Sequence, residues 1–425
     1  MLLIYTALLY MAAPVVFALT AWRGIRDPAY RDRLGERFGL TALRGDGSAI
    51  WVHAVSVGEV QAAAPIIRAL RQRHPQRTLI VTTTTPTGAQ RVRALFTDTV
   101  QHAYLPYDLP GAVNRFLDRV RPQQAIVMET EIWPNLYRAC ARRGIPIALA
   151  SARLSEKSVR RYRRFARVFG PALRGLIIGA QTPTDAQRFA AIGADASHVH
   201  VTGNIKFDIE VPAQVQVDGA ALRSNSFASR KVWVAGSTHA GEEDQVLEAH
   251  RRLLKAHPDA LLILVPRHPN RFDQVRTWLD GSSMRFVSRS RREPVNAGIE
   301  VLLADTLGEL LMFYAAADVA FVGGSLVPIG GHNLLEPAAL AKPILTGPHN
   351  ANGQDIAQLL FADGAAQEVH SSDELAAAVA KLFAYPERRR EMGEKAQAIV
   401  AANRGALARA MALIDSASVT SSTSH

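Results

Sequence analysis

Two doubly wound α/β domains facing a cleft, preceded by an apolar N-terminal helix, form the fold class this sequence predicts. Three observations predict it. The chain has 425 residues, enough for two domains at the usual ~100–200 residues each. Short apolar, β-branched runs alternate with helical patterns from residue 49, and the alternation restarts near Val232. Such βαβα order means mostly parallel sheets covered by helices. Hydrophobic residues make up 48% and charged residues 20%, a globular balance that excludes global disorder.

The elements follow in order. Residues 1–21 carry no charged side chain, and at about 1.5 Å per helical residue they can cross the ~30 Å hydrocarbon layer. The stretch lacks a basic leader and an A-x-A cleavage site, so a retained anchor is expected over 1–22 rather than a cleaved signal. Pro14 interrupts it and weakens a simple spanning helix; a buried core helix is the competing reading. Arg23, Arg26, Arg31, Arg33 and Arg37 follow, so the positive-inside bias is expected to place the body of the protein in the cytoplasm. In the first domain (23–207), strands are expected at 49–55, 79–84, 100–104, 125–128 and 145–150, with helices at 59–72 and 86–96. In the second (208–415), strands are expected at 232–237, 261–265, 301–304, 319–322 and 343–345, with a helix at 241–256. The weakly periodic segment 207–229 reads as the interdomain region, and the tail 416–425 as disordered. No tandem repeat is present.

Lys and Arg total 49 against 38 Asp and Glu, a net charge of +11. Such a surplus suits nucleic acid, phosphorylated ligands or acidic lipid. Cys140 is the one cysteine, which excludes an intramolecular disulfide and cysteine zinc clusters. The run from Arg153 to Arg174 holds eight Lys or Arg against one acid, Glu156, with Tyr162, Phe165, Val168 and Phe169 interleaved. It suits anionic headgroups or RNA; a solvated basic face is the plain alternative.

In doubly wound sheets ligands sit beyond the carboxyl ends of strands, so motifs that follow strands matter most. Ser56-Val57-Gly58-Glu59 follows the first strand. Gly58 permits a tight turn, and Glu59 falls near a helix N-terminus, where it is either a dipole-favoured cap or a general base. Met128-Glu129-Thr130-Glu131-Ile132-Trp133-Pro134-Asn135 follows another strand. Glu129 and Glu131 point to opposite sides if that strand continues; an E-x-E metal site, an orienting carboxylate and simple capping are all open. Lys206, in Thr202-Gly203-Asn204-Ile205-Lys206-Phe207-Asp208, is either a surface lysine or a cleft cation. In the second half, Ala235–His239, Val265-Pro266-Arg267-His268-Pro269, and Gly323-Gly324-Ser325 with Gly330-Gly331-His332-Asn333-Leu334-Leu335-Glu336-Pro337 suit a phosphorylated ligand. Arg267 can clamp phosphate bidentately, Glu336 can accept two ribose hydroxyls, and His268 is structural or ligand-binding. No G-x-G-x-x-G follows the first strand, which argues against a dehydrogenase.

In order, HAVSVGE, METEIWPN, TGNIKFD, VPRHP, TLGEL and GGSLVPIGGHNLLEP resemble the 3-deoxy-D-manno-octulosonic acid (Kdo) transferases of lipopolysaccharide biosynthesis. The resemblance covers nearly the whole chain. It implies the GT-B fold of two Rossmann-like domains, and inverting transfer of Kdo from CMP-Kdo to the lipid A precursor lipid IVA. It implies neither metal nor cofactor. It assigns Glu59 as catalytic base, and Glu129 and Lys206 to transition-state stabilisation. Pro266 and Arg267, then Leu307, Gly308 and Glu309, then Asn333, Leu334, Leu335 and Glu336 are assigned to CMP. Ser56, Gly58, Glu131, His268, Gly324 and Ser325 are supporting residues. The implied partners are CMP-Kdo, lipid IVA and anionic inner-membrane lipid, with no nucleic acid. Another GT-B glycosyltransferase, a sugar-nucleotide epimerase and a membrane-tethered RNA-binding protein are the alternatives.

Overall fold

The computed structural model describes residues 1–227 and 229–420. It divides into two compact units: Met1–Asp208 with residues 404–420, and Ile209–Asn403.

The first unit is built on a seven-stranded sheet: β1 (Ala49–His53), β2 (Leu79–Thr83), β3 (Gln101–Tyr104), β4 (Pro122–Met128), β5 (Ile147–Ala152), β6 (Ile177–Ala180) and β7 (Val199–Val201). The order is β3-β2-β1-β4-β5-β6-β7, and every pairing is parallel. The central strands are buried on both faces, which is why they read as continuous apolar runs rather than alternating ones. Helix Val57–Arg73 lays Val60, Ala63, Ile66, Ile67 and Leu70 on the sheet, the spacing of one helical face. The strand order reverses direction between β1 and β4. In a doubly wound sheet that switch point opens a crevice at the strands' carboxyl ends.

The second unit repeats the plan with β8 (Val232–Thr238), β9 (Leu261–Pro266), β10 (Phe286–Ser288), β11 (Val301–Leu303), β12 (Val319–Val322), β13 (Ile344–Thr346) and β14 (Ala366–Glu368). The order is β10-β11-β9-β8-β12-β13-β14, parallel throughout. Its switch point lies between β8 and β12.

Several expectations are corrected. β6, β7, β10 and β14 were not anticipated; each has only three or four residues, too few to show a period. The segment 207–229 contains helix Ala213–Leu222. Gly219 there lies so close to Ala315 that a Cβ would fall 2.5 Å from the alanine's. The second domain does not run to 415: helix Ala406–Thr420 belongs to the first unit. Ala406, Ala410, Met411, Ile414 and Ala417 bury in that unit's interior, and Asp208 accepts the N–H groups of Gly405 and Leu407 at the helix start. Residues 416–420 are therefore helical rather than disordered, and 421–425 lie outside the described residues.

The N-terminal helix runs from Leu2 to Arg26 straight through Pro14. It is long and apolar enough to cross a membrane, and none of its most apolar window is buried. This contradicts a core helix.

Candidate active site

In the first unit the switch point brings together the segments after β1 and β4. Past β1 the chain stays extended through Ser56 (φ −126°, ψ 174°), which opens helix Val57–Arg73 without a side-chain capping bond. Glu59 caps instead: its Oε2 accepts the Val55 N–H at 2.9 Å. Gly58 has no left-handed φ, so the turn does not require a glycine there. A Cβ at this position would meet only Ser56 Oγ, at 4.0 Å. The glycine leaves open space beside Glu59.

Strand β4 ends at Met128, and Glu129 adopts a left-handed φ of 53°. Its N–H still reaches the Ala150 carbonyl at 3.0 Å. The turn redirects the chain before it reaches Glu131. The strand does not continue through Glu131, so the alternation of a strand does not apply to this pair, and the charges of both act on Glu59. Burial, first, and repulsion by Glu129 and Glu131 push Glu59 up to about 7. Burial and the Glu129 charge likewise push Glu131 up to about 7. Arg153, just beyond β5, pairs with Glu129 at 3.0 Å. Thr130 Oγ1 and the Trp133 indole N–H are buried without an ordinary hydrogen bond; the indole points toward Glu131. Pro134 then starts helix Pro134–Arg142 at its first position, as the sequence indicates. A carboxylate whose pKa lies near 7 at a crevice can take a proton from a hydroxyl and hold it.

Lys206 lies on a turn that packs against helix Val57–Arg73. It sits on the short turn Ile205–Phe207, where Asn204 Oδ1 accepts its N–H at 3.0 Å. Among the described residues its ammonium forms no ion pair with these carboxylates.

In the second unit, the segments after β8, β9 and β12 converge. Glu242 is fully buried. It accepts the N–H groups of Gly324 (2.7 Å), Leu326 (2.9 Å), Ser325 (3.0 Å) and His239 (3.3 Å). One carboxylate thus folds the glycine loop around itself, and a Cβ at Gly323 would strike its Oε2 at 2.6 Å. The rings of His239 and His332 stack, with Nε2 atoms 2.7 Å apart, and His268 meets His239 edge-on. Burial, with His239, Arg267 and His268 nearby, lowers His332 to about 4. The exposed Arg267 acts on both His332 and Glu336. Burial raises Glu336, while Asn333, donating to it at 3.3 Å, and Arg267 oppose the rise.

Other predicted positions have internal duties. Leu334 and Leu335 enter the interior at 4% and 0% exposure, so only their backbone can face a ligand. Pro266 ends β9 and is buried. The Ser325 hydroxyl donates to the Val322 carbonyl and accepts the Gly347 N–H. Glu309 is held by Arg289 at 2.7 Å and by the Thr306 hydroxyl, whereas Leu307 is exposed and Gly308 (φ 83°) stands in open space. Sequence reasoning missed Arg153 and Glu242 as site residues, and the stacked histidine pair. The one signal for Arg153 was its place directly after a strand. Among the described residues, no group of three His, Cys, Asp or Glu side chains is placed to hold a metal ion.

A family model described as 3-deoxy-D-manno-octulosonic-acid transferase matches residues 32–209, and one described as glycosyl transferases group 1 matches 234–399. The chain is 40% identical over 414 residues to a 3-deoxy-D-manno-octulosonic acid transferase of Haemophilus influenzae, covering 96% of this chain and 97% of the relative. It is 39% identical over 426 residues to the Bordetella pertussis transferase of the same description, again covering 96% and 97%. A solved glycosyltransferase from Rickettsia africae is 12% identical with a TM-score of 0.52, covers 88% of this chain and 99% of its own, and shares the fold alone. Two parallel, doubly wound units with motifs at their switch points define the GT-B class of glycosyltransferases. Within that class, the chain belongs to the 3-deoxy-D-manno-octulosonic acid transferase family.

Proposed function

We propose that this protein transfers Kdo from CMP-Kdo to lipid IVA, inverting the anomeric centre, on the cytoplasmic side of the inner membrane. The observation that carries the reading is the carboxylate cluster at the first switch point, with Glu59 pushed up to about 7. A sugar hydroxyl is a poor nucleophile. As its oxygen attacks the anomeric carbon of Kdo, the bond from that carbon to the CMP phosphate breaks, and the hydroxyl proton passes to Glu59. The anomeric carbon develops oxocarbenium character, which the Glu129 carboxylate stabilises. Lys206 neutralises negative charge on the reacting substrates. Arg267 receives the departing phosphate. Glu336, beside Asn333, accepts the ribose hydroxyls, and backbone at Leu334 and Leu335 lines the nucleoside. Leu307, Gly308 and Glu309 border it, with Glu309 fixed by Arg289. Glu131 and His268 are supporting residues, each within its own unit. The exposed arginines of helix Glu156–Arg164 suit the phosphates of lipid IVA and of anionic lipid.

Incubation of the purified protein with CMP-Kdo and lipid IVA, followed by mass spectrometry of the lipid, tests this. The lipid mass should rise by one or more Kdo units, and the rate should be unchanged by a chelator of divalent cations. A lipid unchanged with CMP-Kdo but glycosylated from a UDP-sugar would overturn it.

Gly58 supplies a second prediction. A side chain fits there without backbone strain, and an L-residue favours a helix over glycine by up to about 1 kcal/mol. Gly58→Val should therefore keep the melting temperature within a few degrees while slowing single-turnover transfer at least about tenfold, by filling the space the acceptor needs beside Glu59. Unimpaired transfer would show that this space is not used.

A further inference from the structure

The N-terminal helix has two unlike faces. Along one, Tyr5 Oη donates to Asp108 Oδ2 at 3.0 Å, Thr6 Oγ1 donates to Asn135 Oδ1 at 3.1 Å, and Thr20 Oγ1 meets Tyr107 Oη at 3.1 Å. Phe17 lies against Phe38, and Arg31 Nε donates to the Gly24 carbonyl in the last turn. Tyr5 and Thr20 are roughly 22 Å apart along the helix axis at its standard rise, yet they bond to the adjacent residues Tyr107 and Asp108. The body of the first unit therefore runs alongside the helix. Along the opposite face Ile4, Leu8, Met11, Val15, Leu19 and Trp22 are 51–67% exposed. Their intervals of three and four residues make one continuous stripe.

We infer that this helix lies flat in a single leaflet instead of crossing the bilayer, with its outer stripe among the acyl chains and the neighbouring basic helix Glu156–Arg164 on anionic headgroups. A crossing helix presents its whole circumference to lipid over ~30 Å. Here one side is hydrogen-bonded to protein near both ends, through Tyr5, Thr6 and Thr20. Crossing would carry Asp108, bonded to Tyr5, and Arg115, which shares the neighbourhood of Gly111 with Tyr10, to hydrocarbon depth, where ionisable groups are costly. Lying flat immerses the apolar stripe alone. Charge complementarity fixes the lipid chemistry. Tyr5 meets Phe169 at 6.3 Å and Phe169 meets Tyr162 at 4.8 Å, so an aromatic chain joins the first turns of the N-terminal helix to the basic helix. There Arg161, Arg163 and Arg164, and Arg167 at the start of the next helix, are exposed around Phe165, itself 52% exposed. A flat apolar stripe flanked by arginines and aromatic rings is the pattern of an interfacial helix. The seating also has a line to the acid cluster. Asp108, which Tyr5 holds, accepts the N–H groups of Asn135 and Leu136 and so caps the helix that follows Glu129–Trp133.

The inference rests on the protein being membrane-associated but not on the reaction, and its test reads depth and topology rather than transfer. Cys140 is buried, so single cysteines introduced as Ile4→Cys, Met11→Cys, Leu19→Cys and, on the inner face, Leu9→Cys can each carry an environment-sensitive fluorophore on the full chain. Bound to vesicles of phosphatidylethanolamine and phosphatidylglycerol containing brominated lipids, positions 4, 11 and 19 should be quenched at one common shallow depth, and position 9 much less. A depth profile deepest at 11, with 9 quenched equally, would overturn the inference. Stripe positions shielded from lipid in a protein that runs as a dimer would overturn it in favour of a second copy. An added N-terminal cysteine should stay unlabelled by impermeant maleimide in intact spheroplasts and become labelled on lysis; labelling from outside would overturn it. Replacing Arg161, Arg163, Arg164 and Arg167 with Gln should weaken binding to anionic vesicles roughly a thousandfold and leave binding to uncharged vesicles unchanged. Equal loss on both, or none on either, would remove the basic helix from the lipid face. Failure to bind either vesicle would overturn the membrane reading itself while leaving transfer to detergent-dispersed acceptor intact.

Discussion

Glu59→Gln should reduce Kdo transfer by about a thousandfold or more while CMP binds as it does to the parent protein. General bases contribute roughly 10²–10⁴ to rate, and the neighbouring Glu129 is tied to Arg153. The substitution separates chemistry from architecture because it preserves shape, and one amide oxygen can still accept the Val55 N–H. It should also stabilise the protein. Glu59 has its pKa raised by folding, so the folded state binds its proton more tightly than the unfolded state does. Between the unfolded value near 4.5 and the folded value of about 7, stability falls as pH rises, and above about 7 the full cost of the buried charge is present. The melting temperature of Glu59→Gln should therefore exceed the parent's at pH 8 and match it at pH 4. Thermal melts at the two pH values, beside single-turnover rates and calorimetry with CMP, check all three statements. Weakened CMP binding with a lowered melting temperature would show a structural role instead.

Glu242→Ala should damage the second unit most. Four backbone N–H groups converge on this carboxylate, and removal of one acceptor leaves several buried donors unpaired, at about 1–3 kcal/mol each. A loss of about 3 kcal/mol or more in unfolding free energy follows. The glycine loop that leads to Asn333–Glu336 loses its fixed shape, and the CMP dissociation constant should rise well over tenfold. Glu242→Gln keeps one acceptor oxygen but turns an NH2 toward the same N–H groups, so it should fall between the two. Denaturant unfolding and calorimetry with CMP measure both quantities. Parent-like stability and affinity in Glu242→Ala would mean the loop holds itself.

The long apolar strands and the helices between them were legible because burial on both faces of a parallel sheet writes continuous Val, Ile and Leu runs. The strand order was not legible, and it is what makes a site of the motifs. Ser56–Glu59 and Met128–Asn135 lie far apart in sequence and meet because β1 pairs with β4. The relation of Glu129 to Glu131 was left open by the sequence for a local reason: whether the strand continued past Met128 turned on an L-residue at φ 53°, which is rare, and nothing in the motif announces it. Leu334 and Leu335 sit in a recognisable binding motif, yet their side chains are core. Arg153 was hidden among seven other basic residues of its run, although it pairs with Glu129. Glu242 looked like any acid near a helix start; only the fold brings Gly324, Ser325 and Leu326 to it. The C-terminal helix was misassigned because chain order suggested the second unit, whereas its alanine-rich face fits the first.

The account turns on Glu59 acting as a base whose pKa is set by burial and by two neighbouring carboxylates. The pH dependence of single-turnover transfer, in the parent and in Glu131→Gln, tests this most directly. The parent rate should fall as pH drops, with a midpoint near the value of about 7 that burial and repulsion impose on Glu59. Removal of one repelling charge makes the carboxylate easier to ionise, so in Glu131→Gln the midpoint should move to lower pH. A rate flat across this range, or a midpoint that moves upward, would contradict the account.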